Sequence, residues 1–496
     1  MARSILASLL VVAVCAARSQ AQNGDPDLAR ALALERAMQK IIQQNESSIA
    51  CILVSRSDAY QEFGQGPDAS RPGKLGAFNI NALRASPRYK QLTPPEKQRA
   101  WEVLLDFSDP AYVPRAFGSG VVVDPKGLIL TNYHVVQDAT KVFVRLPGGQ
   151  SSYADVLAAD SRCDLAILKL LNMDGLLKAI PLGDADKVQR GQFVLTLSNP
   201  FAAGFRDGQP SASWGILSNI RRKSFPHLKE EERIKPFHAY GTLLQTDARL
   251  NLGCSGGAMF NLHGEMVGLI TSIAAIQGGE TPGGFAVPVN AAMKRIIDVL
   301  KQGEEIDYGF LGVSFEPANA NGVSLTNVSK GSPADKAGLK VGDVLTSVNG
   351  QAIHESDDVY TTVGFQLAGA KVTVGYRRKG VEHVTDVTLA KLYVPSKHIA
   401  QSLGARPYFR GLRGDHASLV VQLPGRAFGH IPQGMLVIDV QAGSAADKAS
   451  VKMGDIITHV NGVATPTPAA FYQTAGKAAG ALELTLHGIP NKLTLR

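Results

Sequence analysis

Ser255 stands in the decapeptide NLGCSGGAMF, residues 251–260, between a Gly-Cys pair and a Gly-Gly pair. A serine hydroxyl is a poor nucleophile at neutral pH. It needs an imidazole to take its proton, and the imidazole needs a carboxylate to fix its tautomer and stabilise its cation. Candidates for both lie upstream: His134 in TNYHVV, after strand-like LILTNY, and Asp164, which opens the strand-like stretch of SRCDLAILKL. Glycine at 253 admits backbone dihedrals closed to other residues, so its N–H can turn beside that of Ser255. Two such aimed donors would form an oxyanion hole, each worth about 3–4 kcal/mol. The chemistry these residues point to is acyl transfer at a carbonyl.

GCSGG also fits Gly-x-Ser-x-Gly, the nucleophile elbow of α/β-hydrolases. That elbow leads into a helix and has its acid and histidine downstream. Here the serine leads into AMF-NLHG-EMVGLI, a hairpin pattern, and the partners come first. The order His, Asp, Ser matches a chymotrypsin-like double barrel instead.

The surrounding chain is patterned to build such a barrel. From Phe117 to about Val289, short β segments alternate with glycine turns: GSGVVVD, LILTNYHVV, KVFVRL, DLAILKL, QFVLTLS, GILSNI, GTLLQT, AMFNLHGEMVGLITS and GGFAVPV. AAMKRIIDVLKQG closes this region as a helix. Ahead of it, DPDLARALALERAMQKIIQQNESSI has apolar residues at helical spacing, with Asp25 or Asp27 as the cap, and IACILVS reads as a strand. Residues from about 56 to 114 are polar and Pro-rich, with a helical piece near PPEKQRAWEVLLDF, and read as an insertion or long loop.

The last third carries an internal repeat. GSPADKAGLKVGDVLTSVNG at 331–350 and GSAADKASVKMGDIITHVNG at 443–462 share thirteen of twenty positions at an offset of 112. Two copies of one small domain follow. Each reads strand, turn, short helix, Gly-Asp turn, strand and Asn-Gly hairpin.

The 496 residues exceed one ordinary core, and 50 glycines with 26 prolines agree with a β-rich chain. The net charge of +8 is spread out, without the dense Lys/Arg block of a nucleic-acid binder. MARSILASLLVVAVCAARSQAQ has a basic start, an apolar run from Ile5 to Ala17 and a small-x-small site before Gln22, which is the pattern of a cleavable secretory signal. Losing Arg3 and Arg18 with it takes the charge from +8 to +6. Val14 fits a lipid-attachment box at Cys15 poorly, and no later stretch is long and apolar enough to span a bilayer. The mature chain keeps Cys51, Cys163 and Cys254, an odd number unsuited to a disulfide scaffold. His227 and His238 lack ligand spacing to cysteine or carboxylate partners and no phosphate-cradling glycine loop precedes a helix, so no metal or other cofactor is expected.

TNYHVV, SRCDLAILKL, SNPF, QTDARLNLGCSGGAMFNLHGEMVGL and GGFAVPVN, in this order, resemble the HtrA (Deg-type) serine proteases over about residues 30–496. The resemblance implies a mostly β fold, a chymotrypsin-like double β-barrel followed by two α+β PDZ domains. It implies His134 as base, Asp164 as orienting acid and Ser255 as nucleophile, with the Gly253 and Ser255 amides as oxyanion donors. The expected layout is signal peptide 1–21, helix and first strand 22–55, insertion 56–115, the rest of the protease 116–303, PDZ domains at 304–392 and 407–496, and a linker at 393–406. It further implies an exported, ATP-independent endopeptidase acting on unfolded or damaged polypeptides, assembled as trimers or multiples of them. The alternative is a PDZ-based binding or chaperone-like protein whose protease is inactive or at rest.

This chain departs from the family at several places. Cys254 replaces the usual asparagine and is expected to point away from substrate; Cys163 is expected to be a small buried residue. Arg249 replaces the usual alanine six residues before Ser255, near the floor of the specificity pocket. Turned inward it would favour acidic P1 residues; burial statistics place it in solvent, with Leu250 lining a small apolar pocket. The polar stretch Arg221–Gly241 is longer than usual and reads as a solvated or contact loop. PDZ domains bind an extended C-terminus as an added strand and hold its carboxylate on backbone amides. Phe310, Leu311, Gly312 and Val313 (FLGV) fit that loop in the first copy. FRGL at 409–412 is a weaker equivalent, because Arg410 takes the apolar place, so peptide capture is expected of the first copy.

Overall fold

The computed structural model describes residues 25–56, 116–222 apart from 138, 140, 172 and 174, 237–271, 283–317, 322–392, 408–417 and 433–496 apart from 491, with Pro87, Gln91 and Thr93. The expected signal peptide (1–21), nearly all of the expected insertion (56–115), most of the 221–241 stretch and the expected linker (393–406) lie outside the described residues.

Helix α1 (Pro26–Asn45) starts where Asp25 accepts a hydrogen bond from the Asp27 N–H, with Pro26 at the first helical position. It delivers the chain to β1 (Ile49–Ser55), whose seven residues are all buried. That explains the unbroken apolar run IACILVS: Ile52 and Val54 point into the first barrel, while Ile49, Cys51 and Leu53 pack outside it against neighbouring structure. The first barrel adds β2 (Ala116–Asp124), β3 (Leu128–Thr131), β4 (Lys141–Arg145), β5 (Ser151–Asp160) and β6 (Leu165–Leu170), closed in the order β1-β2-β3-β6-β5-β4. A one-turn helix, α2 (Tyr133–Val136), interrupts it just after β3.

The second barrel repeats the plan with β7 (Phe193–Ser198), β8 (Ser211–Arg222), β9 (Leu243–Thr246), β10 (Ala258–Phe260), β11 (Met266–Thr271) and β12 (Gly284–Pro288), in the order β10-β11-β12-β9-β8-β7. Closure leaves neither barrel a free sheet edge. Between them lies a shared apolar core that includes Ile49, Leu130, Ile167, Leu197, Phe260 and Leu269. Helix α3 (Ala291–Lys301), capped by the Asn290 side chain, buries Met293, Ile296, Ile297 and Leu300 against the same core.

Beyond α3 the two repeats each form a sheet of one topology. In the first, β13 (Gly309–Phe310) pairs with β20 (Ala390–Lys391), and β14 (Val313–Pro317), β15 (Val323–Val328), β16 (Val344–Val348), β18 (Lys371–Arg378) and β19 (Val381–Thr388) are consecutive neighbours, with β17 (Gln351–Ala352) paired to β16. In the second, β21 (Leu412–His416), β22 (Met435–Val440), β23 (Ile456–Val460), β25 (Leu482–Leu486) and β26 (Leu493–Leu495) repeat that order, with β24 (Val463–Ala464) on β23. The repeated ADK segments are the short helices α4 (Pro333–Lys336) and α6 (Ala445–Lys448), capped by Ser332 and Ser444. Both Asn-Gly turns have two positive φ values, 51° and 77° at Asn349-Gly350 and 50° and 78° at Asn461-Gly462, as a two-residue type I′ hairpin requires. The longer helices α5 (Ser356–Gly364) and α7 (Pro468–Lys477) complete the two units. The chain is mostly β, a chymotrypsin-like pair of barrels followed by PDZ-type sheets.

Candidate active site

The turn between β5 and β6 is organised by Asp160, whose Oδ1 accepts the N–H groups of Arg162 (2.9 Å) and Cys163 (3.2 Å). It ends at Asp164, which has φ +55° just ahead of β6. Left-handed backbone costs a non-glycine residue about 1–2 kcal/mol, least for Asp and Asn. Here it is compensated: the Asp164 carbonyl accepts from the Tyr133 N–H and from the Asn132 side chain, each at 3.1 Å.

The strained turn also aims the side chain. The buried Asp164 carboxylate lies 3.0 and 2.9 Å from His134 Nδ1 and accepts the His134 backbone N–H at 3.1 Å and the Thr271 hydroxyl at 3.3 Å. An ionised carboxylate can only accept, so Nδ1 carries the proton and Nε2 is left as the basic nitrogen. Burial of the His134 ring pushes its pKa down, but the charge and hydrogen bond of Asp164 outweigh this and hold it above the ordinary value, with Arg56 pulling slightly the other way. For Asp164, burial pushes upward, and the charge and hydrogen bonds of His134 hold the carboxyl below its ordinary value.

Ser255 sits between two glycines with positive φ, Gly253 at 93° and Gly256 at 85°. A Cβ at Gly253 would meet the Asn199 carbonyl at 2.5 Å, and one at Gly256 would meet the Ser119 carbonyl at 2.0 Å. Side chains are therefore excluded at both places. The turn is pinned on each side: the Leu252 carbonyl accepts from the Phe201 N–H at 2.7 Å, and the Gly253 carbonyl accepts from the Ser119 hydroxyl at 2.7 Å. In a trans peptide N–H and C=O point opposite ways, so the first bond turns the Gly253 N–H away from Phe201.

Strand β2 ties the two halves together. Its Ser119 N–H donates to the Ser255 carbonyl at 2.7 Å, and its Ser119 hydroxyl also accepts the Asn199 N–H at 2.8 Å. At Gly118 a Cβ would fall 2.6 Å from Val135 Cγ1 and 3.3 Å from the Ser255 carbonyl, so the bare backbone lets α2 and the serine turn approach one strand. Thr131 adds its hydroxyl, which donates to the Ser119 carbonyl at 2.7 Å. Gly118, Ser119, Thr131, Asn132 and Thr271 thus support the site, and sequence reasoning did not single them out. The only signal was composition: small or polar residues at positions that are completely or nearly completely buried.

Cys254, buried, turns its Sγ toward the Asn251 N–H at 3.3 Å, an acceptor role within the turn. The three described cysteines are all buried and unbridged, and burial raises the Cys51 thiol to about 12 and the Cys163 thiol well above the usual range. Arg249 is exposed and its N–H donates to the Ser213 hydroxyl at 3.1 Å. Leu250 is half-buried against Gly284, where a Cβ would come 2.2 Å from Leu250 Cδ1. Among the described residues no group of three or more His, Cys, Asp or Glu could hold a metal ion, and no helix is long and apolar enough to cross a membrane.

In the first repeat the carbonyl of buried Leu311 accepts from Ala334 N–H at 3.0 Å and that of Gly312 from Ser329 N–H at 2.9 Å, while Phe310 is 36% exposed and Val313 opens β14. Gly312 has φ +87°, and a Cβ there would meet Ser332 Cβ at 2.3 Å. In the second repeat Arg410 folds its guanidinium back onto the carbonyls of Leu495 and Gly480, the Leu412 N–H donates to the Phe409 carbonyl at 3.0 Å, and the Gly414 N–H donates to the Tyr472 hydroxyl at 3.1 Å. The corresponding loop of this copy is thus tied into its own fold.

Residues 118–269 match the trypsin-like peptidase domain and residues 309–389 the PDZ domain. The chain is 32% identical over 371 residues to the probable periplasmic serine endoprotease DegP-like of Marinomonas sp. (strain MWYL1), covering 73% of this chain and 74% of that protein. It is 31% identical over 358 residues to the periplasmic serine endoprotease DegP of Escherichia coli (strain K12), covering 70% and 69%. The solved structure of the HtrA-type protease AlgW with tripeptide aligns over 71% of this chain and 96% of its own at 22% identity, with a TM-score of 0.48. With a trypsin-like peptidase domain, a PDZ domain and more than 30% identity to the DegP-type endoproteases over 70% or more of its length, the chain belongs to the DegP-like, HtrA-type family and is a serine endopeptidase.

Proposed function

We propose that His134, Asp164 and Ser255 carry the peptidase reaction, with Gly253 and Ser255 amides as the oxyanion donors. The observation that carries this reading is the His134 ring held by Nδ1 on the Asp164 carboxylate while strand β2 fastens the Ser255 turn to the same barrel junction. His134 Nε2 takes the Ser255 proton as Oγ attacks the scissile carbonyl, then returns it to the leaving amine. Asp164 stabilises the imidazolium formed in between. The tetrahedral oxygen is held by the Gly253 and Ser255 N–H groups, and the Phe201 bond to the Leu252 carbonyl fixes the peptide that carries the first of them.

Substrates on this reading are extended segments of unfolded or damaged proteins outside the cytoplasm, since a cleft beside a barrel accepts about one strand of backbone. Leu250 lines an apolar P1 pocket and Arg249 stays outside it, which the packing of Leu250 on Gly284 and the exposure of Arg249 support. Phe310–Val313 of the first PDZ domain captures peptide C-termini on its loop, and the chain works as a trimer or a multiple of one. Fluorophosphonate labelling with digestion of denatured casein tests the core of this. Wild type is expected to be labelled and to cleave; Ser255→Ala is expected to do neither. Wild type that stays unlabelled yet binds unfolded chains would overturn it in favour of a binding protein.

A further inference from the structure

Tyr308 ends the connection from α3 to the first PDZ sheet, two residues before Phe310, yet only 1% of it is exposed. Its backbone belongs to the PDZ side, its carbonyl accepting the Leu392 N–H at 2.7 Å while the next residue, Gly309, donates to Gln366 O at 2.7 Å. Its hydroxyl reaches into the first barrel and donates to Asp160 Oδ1 at 2.8 Å. That is the oxygen that accepts the Arg162 and Cys163 N–H groups and shapes the turn ending at Asp164.

Arg162 closes the arrangement. Its guanidinium lies 4.6 Å from the Tyr308 ring centre and 4.4 Å from that of Phe237, and its carbonyl accepts the Phe237 N–H at 2.7 Å. Phe237 stacks on Phe365, the residue capping α5, with centres 4.0 Å apart. Gly364 leaves the room: a Cβ there would come 2.9 Å from the Phe237 ring and 3.2 Å from Arg162.

We propose that Tyr308 is a positioning residue for catalysis, holding Asp164 in its left-handed conformation through Asp160, so that the triad is complete only when this part of the PDZ unit is docked on the β5–β6 turn. The contact acts on the orienting acid and reaches the base in three links: Tyr308 to Asp160, Asp160 through its turn to Asp164, Asp164 to His134. The inference rests on the catalytic roles proposed above for His134 and Asp164.

The test is Tyr308→Phe in the full chain, which keeps the ring beside Arg162 and removes only the hydroxyl. Turnover of a short chromogenic peptide, counted per fluorophosphonate-titrated site and at a temperature where circular dichroism shows both proteins folded, is expected to fall about tenfold in kcat with KM little changed. The acid limb of the pH profile is expected to move to lower pH, because His134 loses carboxylate support. Arg56 and His238, the other charged or titratable groups acting on this pair, are untouched by the substitution. In an Asp164→Asn background the hydroxyl is expected to matter no further. Wild-type kcat and an unmoved limb in Tyr308→Phe would overturn the proposal, as would an equal loss in the Asp164→Asn background. An inactive, unlabelled wild type would instead sink the protease assignment itself.

Discussion

Asp164 is held in a strained conformation by the same contacts that aim its carboxylate, so its replacement should separate geometry from charge. Asp164→Asn is expected to lower kcat by about 10⁴, by allowing the wrong histidine tautomer while the fold persists. The raised pKa of His134 fixes the sign of the pH dependence: the ring must be neutral to act as base, so kcat/KM should rise with pH through a limb above the ordinary histidine value of about 6.5. A limb at or below that value, measured on a peptide lacking titratable groups, would contradict the His134–Asp164 coupling. The thiols give a second check. Cys51, Cys163 and Cys254 are buried, and burial keeps the first two protonated, so iodoacetamide at neutral pH should label none of them in the native protein and all three in denaturant. The triad proposed here was legible as a candidate because nucleophile, base and acid types occur in a telling order within distinctive local strings. Their supports were not: Ser119 in GSGVVVD looks like any strand serine until Asn199 and Gly253, far away in sequence, are seen to share its hydroxyl.

Strand β2 is where the two barrels meet through polar contacts in a buried place. Ser119→Ala leaves the Asn199 N–H and Gly253 carbonyl without this partner, at about 1–3 kcal/mol for each buried group left unsatisfied. Both a lowered melting temperature and a lowered kcat are expected, since the serine turn loses one of the bonds that hold it to β2; a variant that melts earlier but turns over normally would show that the bond serves stability alone. Periodicity and turn residues announced α1, β1 and the repeated hairpins, because capping and type I′ geometry are local. In both repeats the Gly-Asp turn also has a local cause: Asp343 accepts the Lys340 N–H at 2.7 Å and Asp455 the Lys452 N–H at 2.8 Å. Strand order in the barrels was not legible, because ladder partners are chosen by which apolar faces fit together over long separations.

The first PDZ unit meets the second barrel along a seam of aromatic stacks and one charge pair. Tyr240 stacks on Tyr360 of α5 at 4.5 Å, and Arg221 at the end of β8 pairs with Asp358. For Asp358, burial pushes the carboxyl up, and the N–H groups of His354 and Glu355 together with Arg221 hold it below its ordinary value. A carboxyl depressed in the folded state contributes stability that is present above its unfolded pKa and lost as pH falls through the folded one. The seam should therefore loosen only at pH below about 4. Small-angle scattering is expected to show the chain expanding over that range, and Arg221→Ala should move the expansion to higher pH. The sequence offered one side only, the reading of Arg221–Gly241 as a solvated or contact loop; its partner Asp358, 137 residues from Arg221, stands in no motif.

Strand β1 is joined to β2 by a chain stretch of some sixty residues, yet it is zipped on both edges, six residue pairs to β2 and five to β4. A protease nick in that connection would sever the polypeptide without parting the pieces. Residues 25–56, supplied as a separate peptide, should likewise slot into a chain that lacks them and restore peptide cleavage, as a split enzyme does on reassembly. Restored cleavage would make the barrel a socket with a detachable stave.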